Sequence, residues 1–127
     1  MNVRRFLDAL QSSPEYRGQI AHIEVIPERP ARFLAPRQPL PAALSAALER
    51  LGITALYTHQ AEALDAVRRR EHTAVVTGTA SGKSLCYNLP ILERLLENPE
   101  ATALYLFPTK ALAQDQLKGL LRFKETG

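Results

Sequence analysis

The feature that most constrains this chain is the octet Thr77-Gly78-Thr79-Ala80-Ser81-Gly82-Lys83-Ser84, set between a short apolar run and a helix-forming stretch. A strand, a glycine-bearing loop and a helix in that order can turn consecutive backbone N–H groups toward one point. The helix N-terminus adds partial positive charge there. Gly82 lets the backbone approach a ligand closely, Lys83 can reach the β- and γ-phosphates of a nucleotide, and the Ser84 hydroxyl can ligate Mg²⁺. The strict pattern is G-x-x-x-x-G-K-[ST], and Thr77 stands where its first glycine would be. A Gly-Lys-Ser tripeptide also arises by chance, so an ordinary strand-to-helix turn with a surface lysine is the alternative. The strand before the loop and the helix after it favour phosphate binding.

The elements around the loop alternate. Thr73 to Thr77 reads as a buried parallel strand. Thr58 can cap a helix running through about Arg70, with Ala61, Leu64 and Val67 facing inward. Lys83 to Asn98 predicts a helix that Pro90 bends, Thr102 to Phe107 a second strand, and a third helix begins near Lys110, after Pro108. That order implies an α/β fold, a parallel sheet with flanking helices. Upstream, Val3, Phe6, Leu7 and Leu10 recur at helical spacing over residues 2–12, and β-branched residues make Ile20 to Ile26 a candidate strand. Six of the nine prolines fall in the first 41 residues, so the stretch around 30–41 should be extended and irregular. Pro41 suits the first position of a helix through Leu51, with Gly52 as its stop. Residues 1–55 are thus expected to form a small irregular, partly helical accessory extension, and 56–127 the first part of the α/β domain.

Composition excludes several classes. Hydrophobic residues make up 46% of the 127, enough for a packed core and against general disorder. A net charge of +3 is compatible with a polyanionic partner without identifying one. Cys86 is the single cysteine, which excludes an internal disulfide or a cysteine-rich zinc site. No apolar run approaches the roughly 20 residues that span a bilayer, and the start has no secretory pattern. A cytoplasmic protein without a membrane partner is the expectation.

Three segments carry a family resemblance. Leu56-Tyr57-Thr58-His59-Gln60 precedes the loop, and Pro108-Thr109-Lys110-Ala111-Leu112-Ala113-Gln114-Asp115-Gln116 follows it. With Thr77–Ser84 they resemble, in content, order and spacing, the Q motif, motif I (Walker A) and motif Ia of the superfamily-two DEAD/DEAH-box helicases. They look most like the bacterial MrfA (YprA) branch. The resemblance is specific over 56–116, looser over 22–55, and negligible before that. It implies a RecA-like P-loop NTPase domain, a DNA-repair setting, 3′ to 5′ translocation and a carboxy-terminal cysteine cluster in the whole protein. It implies ATP and Mg²⁺ as cofactors, held by Thr79, Ala80, Ser81, Gly82, Lys83 and Ser84. Lys83 and Ser84 would be the catalytic pair and Ser84 the Mg²⁺ ligand.

By the same resemblance Gln60 reads adenine, since an amide can pair bidentately with the N6 and N7 edge. Tyr57 either stacks on the base or packs in the core. His59 reads as an ordinary helix-start residue, Arg68-Arg69-Arg70 as a solvated cationic helix end, and Cys86 as a buried thiol. Thr109, Lys110 and Gln114 are the candidates for holding the backbone of single-stranded or duplex nucleic acid, DNA favoured.

A motor of this kind also needs a carboxylate pair after a later strand, and no Asp-Glu pair follows an apolar strand here. The chain is therefore expected to be an amino-terminal portion that stops before the DExH/DEAD motif, with the second RecA-like domain and its arginine finger elsewhere in the full protein. The competing readings are another P-loop ATPase or a kinase, and a non-catalytic interaction module.

Overall fold

The structure, a computed structural model, describes residues 2–27, 30–79 and 81–126 (124–126 by backbone alone). The chain divides into two compact units, residues 1–30 and 31–127. In the first, helix α1 (Val3–Gln11) is capped by Asn2, whose side chain accepts from the Arg5 N–H at 3.2 Å. Its apolar residues Val3, Phe6 and Leu10 stay exposed. The strand expected over Ile20 to Ile26 is not formed. Those residues carry no β-bridge, and a lone extended segment has no ladder to complete.

The second unit is built on helices α2 (Ala42–Arg50), α3 (Thr58–Arg68), α4 (Ser84–Glu97) and α5 (Lys110–Thr126). Pro41 sits at the N-cap of α2, one position before the place expected for it. Gly52, at φ +77°, ends the helix. Ile53 N–H bonds back to the Leu48 carbonyl and Gly52 N–H to that of Glu49, both at 2.9 Å, the paired closure that a left-handed glycine permits. Helix α3 closes in the same way, but with Arg70 at φ +64°, a conformation that costs a non-glycine residue about 1–2 kcal/mol.

The core joins Leu44 and Leu48 of α2, Leu56, Ala61 and Leu64 of α3 and its approach, and Leu89 of α4. Leu64 and Leu89 are fully buried, each worth roughly 1.5–3 kcal/mol. Val67, expected inside, is 38% exposed. Residues 31–55 therefore belong to the same compact unit as the phosphate loop, and that unit begins at Ala31 rather than at Leu56. The connection is also made by backbone. Leu34 N–H donates to the Leu56 carbonyl and Thr58 N–H to that of Arg32, around an antiparallel bridge between Phe33 and Tyr57. Thr58 does not cap α3; its hydroxyl donates to the Arg32 carbonyl at 3.2 Å. Helix α4 stays continuous through Pro90.

Of the cationic triplet at the end of α3, Arg69 and Arg70 are exposed as expected, but Arg68 is not solvated. Arg68 donates to Glu93 of α4 through Nε at 2.9 Å and through a second nitrogen, and to the carbonyls of Gln38 and Pro39. Asp65 accepts from the Arg37 N–H. A guanidinium can bridge a carboxylate and two carbonyls because it presents five donors in a fixed fork. The hydrogen bond to Glu93 holds it still more firmly protonated, against the cost of burial.

The parallel sheet expected from Thr73–Thr77 and Thr102–Phe107 is not formed among the described residues. Both segments are non-helical, and neither has a β-bridge. They do not pair with each other, so each lacks the neighbours that make a strand. Val76, Leu104 and Leu106 are 84–94% exposed. On the side toward α4, a groove of about 680 Å³ is bounded by Val75, Ala103, Tyr87, Ile91 and Leu95.

Candidate nucleotide and nucleic-acid sites

The phosphate loop lies between the first extended segment and α4, as the sequence pattern requires. Ser84 is the first residue of α4 and Lys83 its N-cap, so the loop runs directly into the helix N-terminus. Gly82 takes φ +75°, a turn that side-chain-bearing residues avoid. A Cβ built there would lie 2.6 Å from Gln60 Nε2. Glycine is thus favoured by conformation, and a Cβ there would push the end of the Gln60 side chain off the Gly82 carbonyl. Ala80 lies outside the described residues.

The loop is closed on itself. Lys83 Nζ donates to the Thr77 carbonyl at 3.1 Å, to the Gly78 carbonyl, and to Ser81 Oγ at 3.2 Å. Thr77 Oγ1 and Ser81 Oγ are 2.6 Å apart. All three donors of the ammonium are therefore engaged. A phosphate entering the loop would exchange for these contacts. Thr77, which departs from the glycine of the strict pattern, supplies both a carbonyl and a hydroxyl to this closure. Thr79 is exposed at the loop's outer turn.

Helix α3 grips the loop from behind through two successive carbonyls. His59 Nε2 is 3.0 Å from the Ser81 carbonyl oxygen, and Gln60 Nε2 donates to the Gly82 carbonyl at 2.8 Å. In a trans peptide the C=O and the following N–H point in opposite directions. Pinning these two carbonyls on α3 therefore turns the Gly82 and Lys83 N–H groups away from α3, and neither donates to a backbone carbonyl among the described residues. His59 thus does more than start a helix. The signal for it is its place beside Gln60, but no spacing rule points from a lone histidine to a loop twenty-odd positions away.

Gln60 is 2% exposed. Its Oε1 accepts from the Tyr57 N–H at 2.9 Å, closing the first turn of α3. Both ends of the amide are thus engaged with the protein. Tyr57 stacks with Phe33 (centroids 5.2 Å apart) and with His59 (5.8 Å) and is 38% exposed. Cys86 is buried, with its sulfur 4.0 Å from the His59 carbonyl. Burial pushes its thiol up, more than the nearby charge of Lys83 lowers it, which makes it a poor nucleophile.

Ser84 and Tyr87 both donate to one atom, Gln116 Oε1 of α5, at 2.8 and 2.7 Å. Sequence reasoning singled out Gln114 on that helix and missed Gln116. The second extended segment is tied to α4 as well, by Tyr105 Oη donating to the buried Asn88 Oδ1 at 3.0 Å. Burial raises the Tyr105 phenol.

Thr109 caps α5, its hydroxyl oxygen accepting from the Leu112 N–H at 3.2 Å. The hydroxyl proton is left to donate elsewhere. Thr109, Lys110 and Gln114 are all exposed. Among the described residues no group of three or more His, Cys, Asp or Glu side chains could hold a metal. A phosphate-bound Mg²⁺ needs few protein ligands, and Ser84 suits one. With its proton directed at Gln116, the hydroxyl keeps lone pairs for a cation. No helix among the described residues is long and apolar enough to cross a membrane.

Comparison with known proteins places the chain in a family. A DEAD/DEAH box helicase family model matches residues 57–127. The chain is 51% identical over 86 residues to the ATP-dependent helicase YprA of Bacillus subtilis, a match covering 65% of this chain and 12% of that protein. It is 40% identical over 123 residues to the ATP-dependent helicase hrq1 of Schizosaccharomyces pombe, covering 94% of this chain and 12% of that protein. Among solved structures, the helicase MrfA bound to DNA and AMPPNP aligns with a TM-score of 0.73 and 45% identity, over 77% of this chain and 14% of that one. The chain thus spans about an eighth of the length of these relatives.

Proposed function

The chain belongs to the DEAD/DEAH box helicase family, and from that premise we propose that it is the nucleotide-binding beginning of an ATP-dependent DNA helicase of the MrfA/YprA kind. Thr77–Ser84 binds the triphosphate, Lys83 neutralises the β- and γ-phosphates, and Ser84 ligates Mg²⁺. The observation that carries this reading is the two-carbonyl grip of α3 on Ser81 and Gly82, which leaves consecutive N–H groups on the other side of the loop. The likeness to a structure that holds DNA and AMPPNP supports the same ligand classes here.

Gln60 pairs with an adenine edge by turning its buried amide from the Tyr57 N–H and the Gly82 carbonyl toward the base. Tyr57, in its aromatic stack, lies next to that amide in the first turn of α3. Thr109, Lys110 and Gln114 hold one backbone phosphate of the DNA at the start of α5, a contact that positions the strand without reading sequence. The two extended segments become strands of a RecA-like parallel sheet when further strands from the rest of the helicase flank them. The 680 Å³ groove over α4 and the exposed Leu104 and Leu106 are the surfaces such an addition would cover.

The test is ATP hydrolysis by the full-length helicase with and without single-stranded DNA, beside its Lys83→Ala variant. DNA should stimulate hydrolysis, and the variant should lose roughly 100-fold or more, as removal of a charge-stabilising donor does. A nucleotide hydrolase indifferent to DNA would instead be another P-loop ATPase.

A further inference from the structure

We propose that Gln116 is a positioning residue: it orients the Ser84 hydroxyl toward a nucleotide-bound divalent cation and so links helix α5 to the nucleotide site. The inference rests on the reading of Thr77–Ser84 as an ATP–Mg²⁺ loop. It begins from a convergence. Ser84 and Tyr87, one turn apart on α4, both point their hydroxyls at the single oxygen Gln116 Oε1, at 2.8 and 2.7 Å. A carbonyl oxygen has two lone pairs, so the two hydroxyls saturate it and fix it in place.

The consequence falls on Ser84. A hydroxyl has one proton and two lone pairs. While its proton is held by Gln116, the lone pairs face away from α5, and a cation approaching from the loop meets no proton. Without that acceptor, a serine in the first turn of a helix can rotate its proton to other partners, and the lone pairs lose their fixed direction. Partners of this kind, one bond removed from a metal, commonly change metal affinity 10- to 100-fold.

The same helix carries Thr109 and Lys110 at its N-terminus. Helix α5 is a single element from Lys110 onward, so the groups that face a backbone phosphate and the group that sets the Ser84 proton move as one body. Any shift of α5 on binding a strand therefore changes the direction in which Ser84 presents its lone pairs.

The experiment measures the affinity of a fluorescent N-methylanthraniloyl ATP for the whole chain, in Mg²⁺ and in EDTA. Wild type is compared with Gln116→Ala and Gln116→Glu. Gln116→Ala should weaken binding roughly 10-fold in Mg²⁺ and leave binding in EDTA within about twofold. Gln116→Glu, which keeps an acceptor oxygen and loses the amide donors, should bind like wild type in Mg²⁺. The proposal is overturned if Gln116→Ala loses affinity equally with and without Mg²⁺, if it loses none, or if Gln116→Glu behaves like the alanine variant. If wild type binds the nucleotide in neither condition, the phosphate-loop reading itself has failed, and this proposal falls with it.

Discussion

The two anion sites proposed here, the phosphate loop and the start of α5, are of opposite construction. In the loop the polar side chains hold one another or the backbone: Lys83 on two carbonyls and Ser81, Thr77 on Ser81, Ser84 on Gln116. At α5, Thr109 makes one cap contact while Lys110 and Gln114 stand exposed. The first site is shaped by close neighbours and must exchange internal bonds for a ligand. The second is open, and its attraction is electrostatic and screened by salt. Substitutions in the first should therefore act through geometry, and those in the second through charge.

The largest expected effect is at Gly82. Gly82→Ala combines a left-handed backbone with a Cβ 2.6 Å from Gln60 Nε2. The chain should lose about 1–3 kcal/mol of stability, read as a lower midpoint in chemical denaturation. The loop should also lose nucleotide affinity. An alanine variant as stable as wild type would mean that α3 does not grip the loop as described.

Next comes Gln60. Gln60→Ala frees the Gly82 carbonyl and removes the amide edge. ATP binding should fall by roughly 1–3 kcal/mol and GTP binding by less, measured by competition against a labelled nucleotide. Equal losses would restrict Gln60 to holding Gly82.

The smallest effect belongs to the open site. Thr109→Ala with Lys110→Ala should lower single-strand affinity modestly. It should also flatten the dependence of log K on log salt, by about 0.7 for each phosphate that the protein ceases to neutralise. Nucleotide affinity without DNA should stay the same. An unchanged salt slope would remove this face from the strand's path.

What the sequence made legible follows from the range of each interaction. The loop and the helix after it are local, and the pattern of Gly82, Lys83 and Ser84 located them within a residue. Gln116 and His59 escaped because each acts across more than twenty positions, through a side chain whose own surroundings are unremarkable. The sheet was read from two apolar runs, yet apolar runs state only that a segment would be buried. Thr73–Thr77 and Thr102–Phe107 have no partner strand among the described residues, and the exposure of Val76, Leu104 and Leu106 records that lack. Residues 31–55 were assigned to an extension on their prolines. Pro36, Pro39 and Pro41 instead stiffen a connection that Asp65 and Arg68 hold against α3 and α4 through the Arg37 N–H and the carbonyls of Gln38 and Pro39.

The central claim, that Thr77–Ser84 recognises phosphate, is tested most directly by the equilibrium affinities of ATP, ADP, AMP and adenosine for this chain in Mg²⁺, measured by calorimetry beside Lys83→Ala. Affinity should rise with the number of phosphates, with ATP and ADP well above AMP and adenosine, and Lys83→Ala should compress that series. Adenosine binding as tightly as ATP, or a series unchanged by Lys83→Ala, would contradict the assignment.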